Sequence, residues 1–326
     1  MNFAPHIPIP ENQPKIAKIP EVPMVGLDTL WLQIGGTVCN LTCTHCFISC
    51  TPQNHNHPLM TLAQVQKHLE ESKHLGIQDY YITGGEVFLN PELFEIYEAI
   101  LQYGPCTTLT NGMLISREKA QRLAELQARA KNKLHFRVSL DSLDEQVFAT
   151  MSGGRGDLRK VLDGIAAAEE AGISPIKINV VVQRGVNDHT VIDLLEHFRG
   201  SGHIVRLIEF MDVGNRNGWR MNQVVPSREL LAAVRARWAL TAVTRNYPGE
   251  VAQRYSYDDG QGEIGFISSV TEPFCGSCSR ARLSADGVLY TCLFATQGTD
   301  LREPLRNGAD DTERADILSR ICLQRA

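Results

Sequence analysis

The chain has 326 residues, 43% of them hydrophobic, enough for one large α/β domain with an addition or for two domains. Its 32 basic and 37 acidic residues leave a net charge of −5, which is no electrostatic footprint for nucleic acid. No apolar run is long enough to span a membrane and the first residues do not form a signal peptide, so the default location is cytoplasmic, where the nine cysteines stay reduced and clustered thiols read as metal ligands rather than disulfides.

Residues 1–24 hold six prolines and read as an extended arm. Leu30–Ile34 is the first predicted strand. Thr61 caps a helix running to about Leu75, which Gly76 ends. Asp79–Thr83 is a short strand leading into Gly84-Gly85-Glu86. Pro91 opens a helix to about Tyr103. Thr107–Thr110 is a strand, Arg117–Arg129 a helix, and Leu134–Leu140 a strand. Helices follow at Asp144–Met151 and Asp157–Ala171, then a β-branched strand at Ile176–Val182, a helix at Asp188–Arg199 and a strand at Ile204–Phe210. Six strand–helix units in a row imply an α/β fold, an incomplete TIM-like (β/α)6 barrel over residues 25–215. Functional residues of such sheets gather at the carboxyl ends of the strands. After about Gly214 the rhythm changes. A helix near Arg228–Trp238 precedes a hairpin across Tyr255–Ile267 and a second cysteine group, so residues 216–326 read as a C-terminal extension covering the barrel mouth.

The first cysteine group is Cys39-Asn40-Leu41-Thr42-Cys43-Thr44-His45-Cys46. A [4Fe-4S] cube normally takes four thiolates, so three leave one iron open to another ligand. The amino and carboxylate groups of S-adenosylmethionine can chelate that iron. A zinc site closed by Cys50 or His45 is the alternative. His45 fits better as a flat ring flanking adenine than as a ligand. Gly84 and Gly85 offer backbone that can approach the methionine amine closely, with Glu86 after them. The second group, Cys275, Cys278 and Cys292, again supplies three thiols, and so a second cluster with an open iron for a substrate atom, or a zinc ribbon completed from elsewhere. Arg280 and Arg282 alternate on what reads as a strand, so both point to one face beside it and suit an anionic or carbonyl-rich substrate.

Together these residues resemble the GTP 3′,8-cyclases of molybdenum cofactor synthesis, within the radical S-adenosylmethionine superfamily. The match covers Cys39, Cys43 and Cys46, Val138–Leu143, Lys177–Val181, Arg206–Asn215, Asn217–Trp219, Phe274–Arg280 and Cys292–Phe294. The resemblance implies two [4Fe-4S] clusters and S-adenosylmethionine, with a 5′-deoxyadenosyl radical taking the 3′ hydrogen of GTP before C3′ closes onto C8 of guanine. It implies that Gly85, Ser139, Arg206 and Met211 lie around S-adenosylmethionine. Lys177 would meet the triphosphate, and Arg280 and Arg282 would flank the purine and the radical. It also implies an electron donor such as flavodoxin or ferredoxin, and family members tend to be dimers. Members carry an arginine in the first strand, where this chain has Leu30-Trp31-Leu32-Gln33. They carry a lysine and an arginine at Asp79 and Tyr81, a threonine at Leu109, a proline at Val87, and Gly-Gly where this chain reads Leu323-Gln324-Arg325-Ala326. A paralogue using the same radical chemistry on another substrate, and a non-catalytic iron–sulfur or zinc protein, stay open as alternatives. Release of 5′-deoxyadenosine separates the last from the first two.

Overall fold

The computed structural model describes residues 26–301, apart from 47, 74, 212–217, 248, 294 and 296, together with residue 313. The expected arm at 1–24, residues 212–217 of the Arg206–Asn215 and Asn217–Trp219 stretches, and the C-terminal Leu323–Ala326 lie outside the described residues.

Strand and helix alternate as the periodicity predicts: β1 (Thr29–Leu32), α1 (Leu62–Ser72), β2 (Asp79–Ile82), α2 (Leu93–Ile100), β3 (Cys106–Thr110), α3 (Arg117–Arg129), β4 (Leu134–Ser139), α4 (Glu145–Met151), α5 (Leu158–Glu170), β5 (Lys177–Val182), α6 (Val191–Phe198) and β6 (Ile204–Glu209). Then come α7 (Ser227–Arg235), β7 (Leu240–Val243), β8 (Gln253–Tyr257), β9 (Glu263–Ile267), β10 (Arg280–Leu283), β11 (Val288–Tyr290) and β12 (Thr299–Asp300). The helix starts follow from capping. The Thr61 side chain accepts from Gln64 N while the Gln64 side chain accepts from the Thr61 backbone, and the side chains of Ser116, Asp144 and Asp157 accept from backbone N–H groups in the first turns of α3, α4 and α5. Helix α1 buries Val65, Leu69 and Ser72, one stripe at helical spacing, and Ser72 Oγ sits 2.7 Å from the Tyr80 hydroxyl on β2.

Strands β1 to β6 run parallel in sequence order, as helical crossovers require. The C-terminal chain then widens the sheet at both ends. Strand β9 adds parallel to β6 and carries β8 and β7 as antiparallel neighbours, the expected hairpin plus one more strand. Strand β10 returns to pair parallel with β1, where Asp28 N and Thr29 N both donate to Ser279 O, and β11 and β12 follow it. The described residues thus form a twelve-stranded open sheet, an incomplete barrel. Alternate residues on each strand separate two environments. Leu30, Leu32, Ile82, Val138, Ile178, Val180 and Leu207 are buried in the hydrophobic core shared with the helices. Their neighbours Trp31, Tyr81, Ser139, Lys177, Asn179 and Arg206 line an interior cavity.

Candidate active site

The loop from β1 to α1 carries the first thiols. It is tied to the turn after β2: Gly35 N donates to Thr83 O, Gly85 N to Gly36 O, and Glu86 N to Val38 O. The two glycines are needed for this docking. A Cβ on Gly84, whose φ is +132°, would lie 2.7 Å from Gly35 Cα, and one on Gly85 would lie 1.8 Å from the Val38 carbonyl oxygen. Both glycines still line the cavity. Glu86 does not, and full burial corrects its place among the cofactor-binding candidates. Its carboxylate is fully buried and accepts from Phe88 N at 3.0 Å, Thr110 Oγ1 at 2.7 Å and Asn111 N at 2.8 Å. Asn111 in turn donates to Asn40 Oδ1 at 2.8 Å, beside Cys39. Burial raises the Glu86 pKa, and these donors oppose the rise. Glu86 therefore locks the β3 turn and, through it, the cysteine loop. Changing Glu86→Gln places an amide N–H against one of these donors, so the protein should lose about 1–3 kcal/mol of stability, read as a lower Tm in anaerobic thermal unfolding.

A cavity of about 430 Å³ opens inside the barrel, within the usual range for small-molecule sites. Cys39, Cys43, Cys46 and His45 line it from the first loop, and Ser139, Lys177, Arg206 and Met211 from the strand ends. Cys275, Cys278, Cys292, Arg280 and Arg282 line it from the C-terminal chain. Apart from Glu86, the structure brings every site residue expected from sequence around this one space. The return of β10 to β1 does this for the second thiol group, because it sets the register Trp31 to Arg282 and Thr29 to Arg280.

The thiol chemistry fits a cluster that brings positive charge. Burial raises Cys39 to about 11, with Glu86 and Cys46 adding to the rise. Cys43 is pushed well up by burial and then by Asp141, Cys46 and Cys39. Cys46 falls to about 6 because the Cys50 thiol donates to its sulfur, and Cys50 N–H adds a contact at 3.3 Å. Cys50 itself is buried and raised by the same bond. Only iron, or another cation, stabilises several thiolates together here, and its binding must displace their protons. Among the described residues, no three His, Cys, Asp or Glu side chains converge closely enough to hold a single metal ion. Three thiols in each group match a cube that leaves one iron without a protein ligand.

His45 gives a second test of fit. Its Nε2 lies 3.4 Å from Asp141 Oδ2, while its Nδ1 is buried with no hydrogen-bond partner among the described residues. Asp141 is fixed by Val181 N, which donates to Oδ1 at 2.8 Å; burial raises its pKa, and His45 and that N–H oppose the rise. In the neutral tautomer with hydrogen on Nε2, facing the carboxylate, His45 would present Nδ1 as an acceptor in the cavity. An adenine amino group or an α-amine is a donor of the right kind. The residues present therefore fit an iron–sulfur cluster with S-adenosylmethionine against it.

Around the second group, Arg280 Nη2 donates to Cys278 Sγ at 3.1 Å and its guanidinium stands 5.1 Å from the Phe274 ring centroid. Arg282 is lowered to about 10 by burial and by Arg280, against Cys292 and Tyr290. Lys177 is lowered to about 8 by burial, then by Arg137 and Arg206, and Arg206 to about 9 by burial, then by Arg137. Both nitrogens of the Arg206 fork donate to Asn179 Oδ1, at 2.9 and 2.7 Å.

Sequence reasoning missed Asp141, Asn179, Asn111 and Arg137. Asp141 lay inside a motif already singled out. Arg137 and Asn179 share strand parity with Ser139 and Lys177, so the period of two would have placed them inside.

The chain matches two family models, the Radical SAM superfamily over residues 34–198 and Molybdenum Cofactor Synthesis C over residues 203–326. It is 46% identical over 277 residues to a GTP 3′,8-cyclase of Xanthomonas axonopodis pv. citri, covering 83% of this chain and 81% of that one. A GTP 3′,8-cyclase of Acidothermus cellulolyticus is 37% identical over 303 residues, covering 88% and 81%. In fold it resembles Streptococcus suis SuiB bound to S-adenosylmethionine, with a TM-score of 0.62 at 15% identity over 90% of this chain and 68% of that one. It also resembles anSMEcpe with bound AdoMet, with a TM-score of 0.59 at 15% identity over 91% and 88%. The thiol sets, the open barrel and the matches over most of the length agree: the chain belongs to the GTP 3′,8-cyclase family and is a radical S-adenosylmethionine enzyme of molybdenum cofactor biosynthesis, using iron–sulfur clusters and S-adenosylmethionine.

Proposed function

We propose that the chain converts GTP to a 3′,8-cyclised nucleotide. One observation carries this reading: both thiol groups, Lys177, Arg280 and Arg282 line the same cavity. When bound, the first cluster and S-adenosylmethionine supply a 5′-deoxyadenosyl radical able to take a hydrogen atom from ribose C3′. Cys39, Cys43 and Cys46 hold that cluster. The turn at Gly84 and Gly85 forms part of the wall beside it, and His45 Nδ1, Ser139, Arg206 and Met211 orient S-adenosylmethionine. Cys275, Cys278 and Cys292 would hold the second cluster, which would supply a Lewis-acidic site for the guanine. Arg280 and Arg282 flank the purine, and Lys177 pairs with phosphate. A small electron donor such as flavodoxin or ferredoxin supplies the reducing electron. Free thiols throughout the described residues suit the reducing cytoplasm, and no helix among those residues is long and apolar enough to cross a membrane.

The test is anaerobic incubation of cluster-loaded protein with S-adenosylmethionine, reductant and GTP. Mass analysis should find 5′-deoxyadenosine together with cyclised nucleotide. If deoxyadenosine forms while GTP is returned unchanged, the substrate is another molecule.

The state of Lys177 sets a pH dependence. With its pKa near 8 in the free site, Lys177 is a cation below that pH and neutral above it. Phosphate favours the cation, so bound GTP raises its pKa. GTP affinity should be flat below pH 8 and weaken by about tenfold per unit above it, with uptake of a proton on binding. Calorimetry in two buffers of different ionisation heat reads that proton. Lys177→Arg, always charged, should flatten the profile.

A further inference from the structure

Arg137 on β4 was not among the expected site residues, yet it stands at the centre of the cavity's charge. In the sheet register it is the direct neighbour of Lys177 on β5, and Arg206 lies on the next strand. All three line the cavity, and none forms an ion pair among the described residues. Glu250 faces them, but its carboxylate is engaged by Asn246 N at 2.7 Å and Asn246 Nδ2 at 3.3 Å. Lateral neighbours of like charge repel, and burial strengthens the repulsion. An anion lying between them removes that cost.

Arg137 is held in place by an aromatic wall. Its guanidinium lies 4.5 Å from the Tyr81 ring centroid, and its Nη2 donates to the Tyr81 hydroxyl at 2.7 Å. Tyr81 stacks on Trp31 with centroids 4.9 Å apart and planes 8° apart. The pairing with Tyr81 spends one of five N–H donors and leaves the rest of the fork for a ligand. The Trp31 Nε1–H is buried with no acceptor among the described residues. This part of the cavity is thus rich in donors and cations, and the ligand that satisfies it is rich in acceptor oxygens.

We propose that Arg137 is a substrate-binding residue that sets the preference for a polyphosphate: with Lys177 it holds the phosphate chain on the β4–β5 side of the cavity, while Tyr81 and Trp31 brace its guanidinium. The proposal rests on the reading of GTP as substrate, and the experiment separates the two. Binding of GTP, guanosine and inorganic triphosphate is measured on the anaerobic, cluster-loaded chain with S-adenosylmethionine present. The variants are Arg137→Gln, Arg137→Lys and Tyr81→Phe.

Arg137→Gln should weaken GTP and inorganic triphosphate by about tenfold to a hundredfold, the worth of a charge-assisted hydrogen bond, and leave guanosine within about twofold. Arg137→Lys, which keeps the charge without the fork, should recover part of the loss. Tyr81→Phe, which keeps the ring and removes the hydroxyl, should cost less than Arg137→Gln. Unchanged triphosphate binding in Arg137→Gln overturns the proposal. So does equal weakening of guanosine, which would mean that Arg137 only supports the fold. If the unaltered chain binds inorganic triphosphate through Arg137 but not GTP, the proposal stands and the GTP reading fails. If it binds neither, both fail.

Discussion

Cys43→Ala should abolish reductive cleavage of S-adenosylmethionine, with no 5′-deoxyadenosine detected by mass in anaerobic, dithionite-reduced samples. The reason lies in the surroundings of this sulfur. Cys43 shares a buried pocket with Cys39, Cys46 and Asp141, and all three push its pKa further up after burial has raised it. As a thiolate it is tenable only with a cation against it, so its job is ligation. Alanine removes one of three protein ligands, and Cys50 is poorly prepared to replace it, because its thiol is spent donating to Cys46. Iron per chain should fall by about half, since the second site keeps its own thiols. Undiminished cleavage in this variant would show that the first loop does not hold the cluster.

Cys278→Ala should separate the two halves of the site. S-adenosylmethionine should still be cleaved without substrate, while cyclised nucleotide disappears. Cys278 is buried in the C-terminal part of the cavity lining and accepts a hydrogen bond from Arg280. Its loss removes a ligand of the second cluster and the anchor of that guanidinium together. The first loop is held by bonds to the Gly84-Gly85 turn and is not touched by the change. The measurement is deoxyadenosine against nucleotide product in the same reaction. Equal loss of both would contradict distinct roles for the two thiol groups.

Much of this was legible because the signals are local. The capping residues Thr61, Ser116, Asp144 and Asp157 mark helix starts through hydrogen bonds that span three residues. Alternation on β4 to β6 shows which residues face inward, and the two cysteine spacings announce their chemistry. Helix α2 stops at Ile100 rather than Tyr103, since the residues up to Gly104 form a tight turn into β3. What the sequence hid was pairing at long range. No periodicity says that Arg280–Leu283 will lie beside Thr29–Leu32, about 250 residues apart, because that choice is made by two strand edges that meet only in the folded chain. The same holds for Glu86, whose carboxylate is explained only by donors from β3, and for Gly84 and Gly85, whose missing side chains are explained by Gly35 and Val38. Arg137 was hidden for a different reason: an arginine on a strand is ordinary until Tyr81 and Lys177 are seen beside it.

The central claim is that a radical made at the first thiol group acts on the ribose of a nucleotide whose guanine lies at the second. Its most direct test uses GTP carrying deuterium at C3′, incubated anaerobically with the cluster-loaded chain, S-adenosylmethionine and reductant. The 5′-deoxyadenosine formed should carry one deuterium, in step with the cyclised nucleotide produced. Unlabelled deoxyadenosine beside untouched deuterated GTP would contradict it.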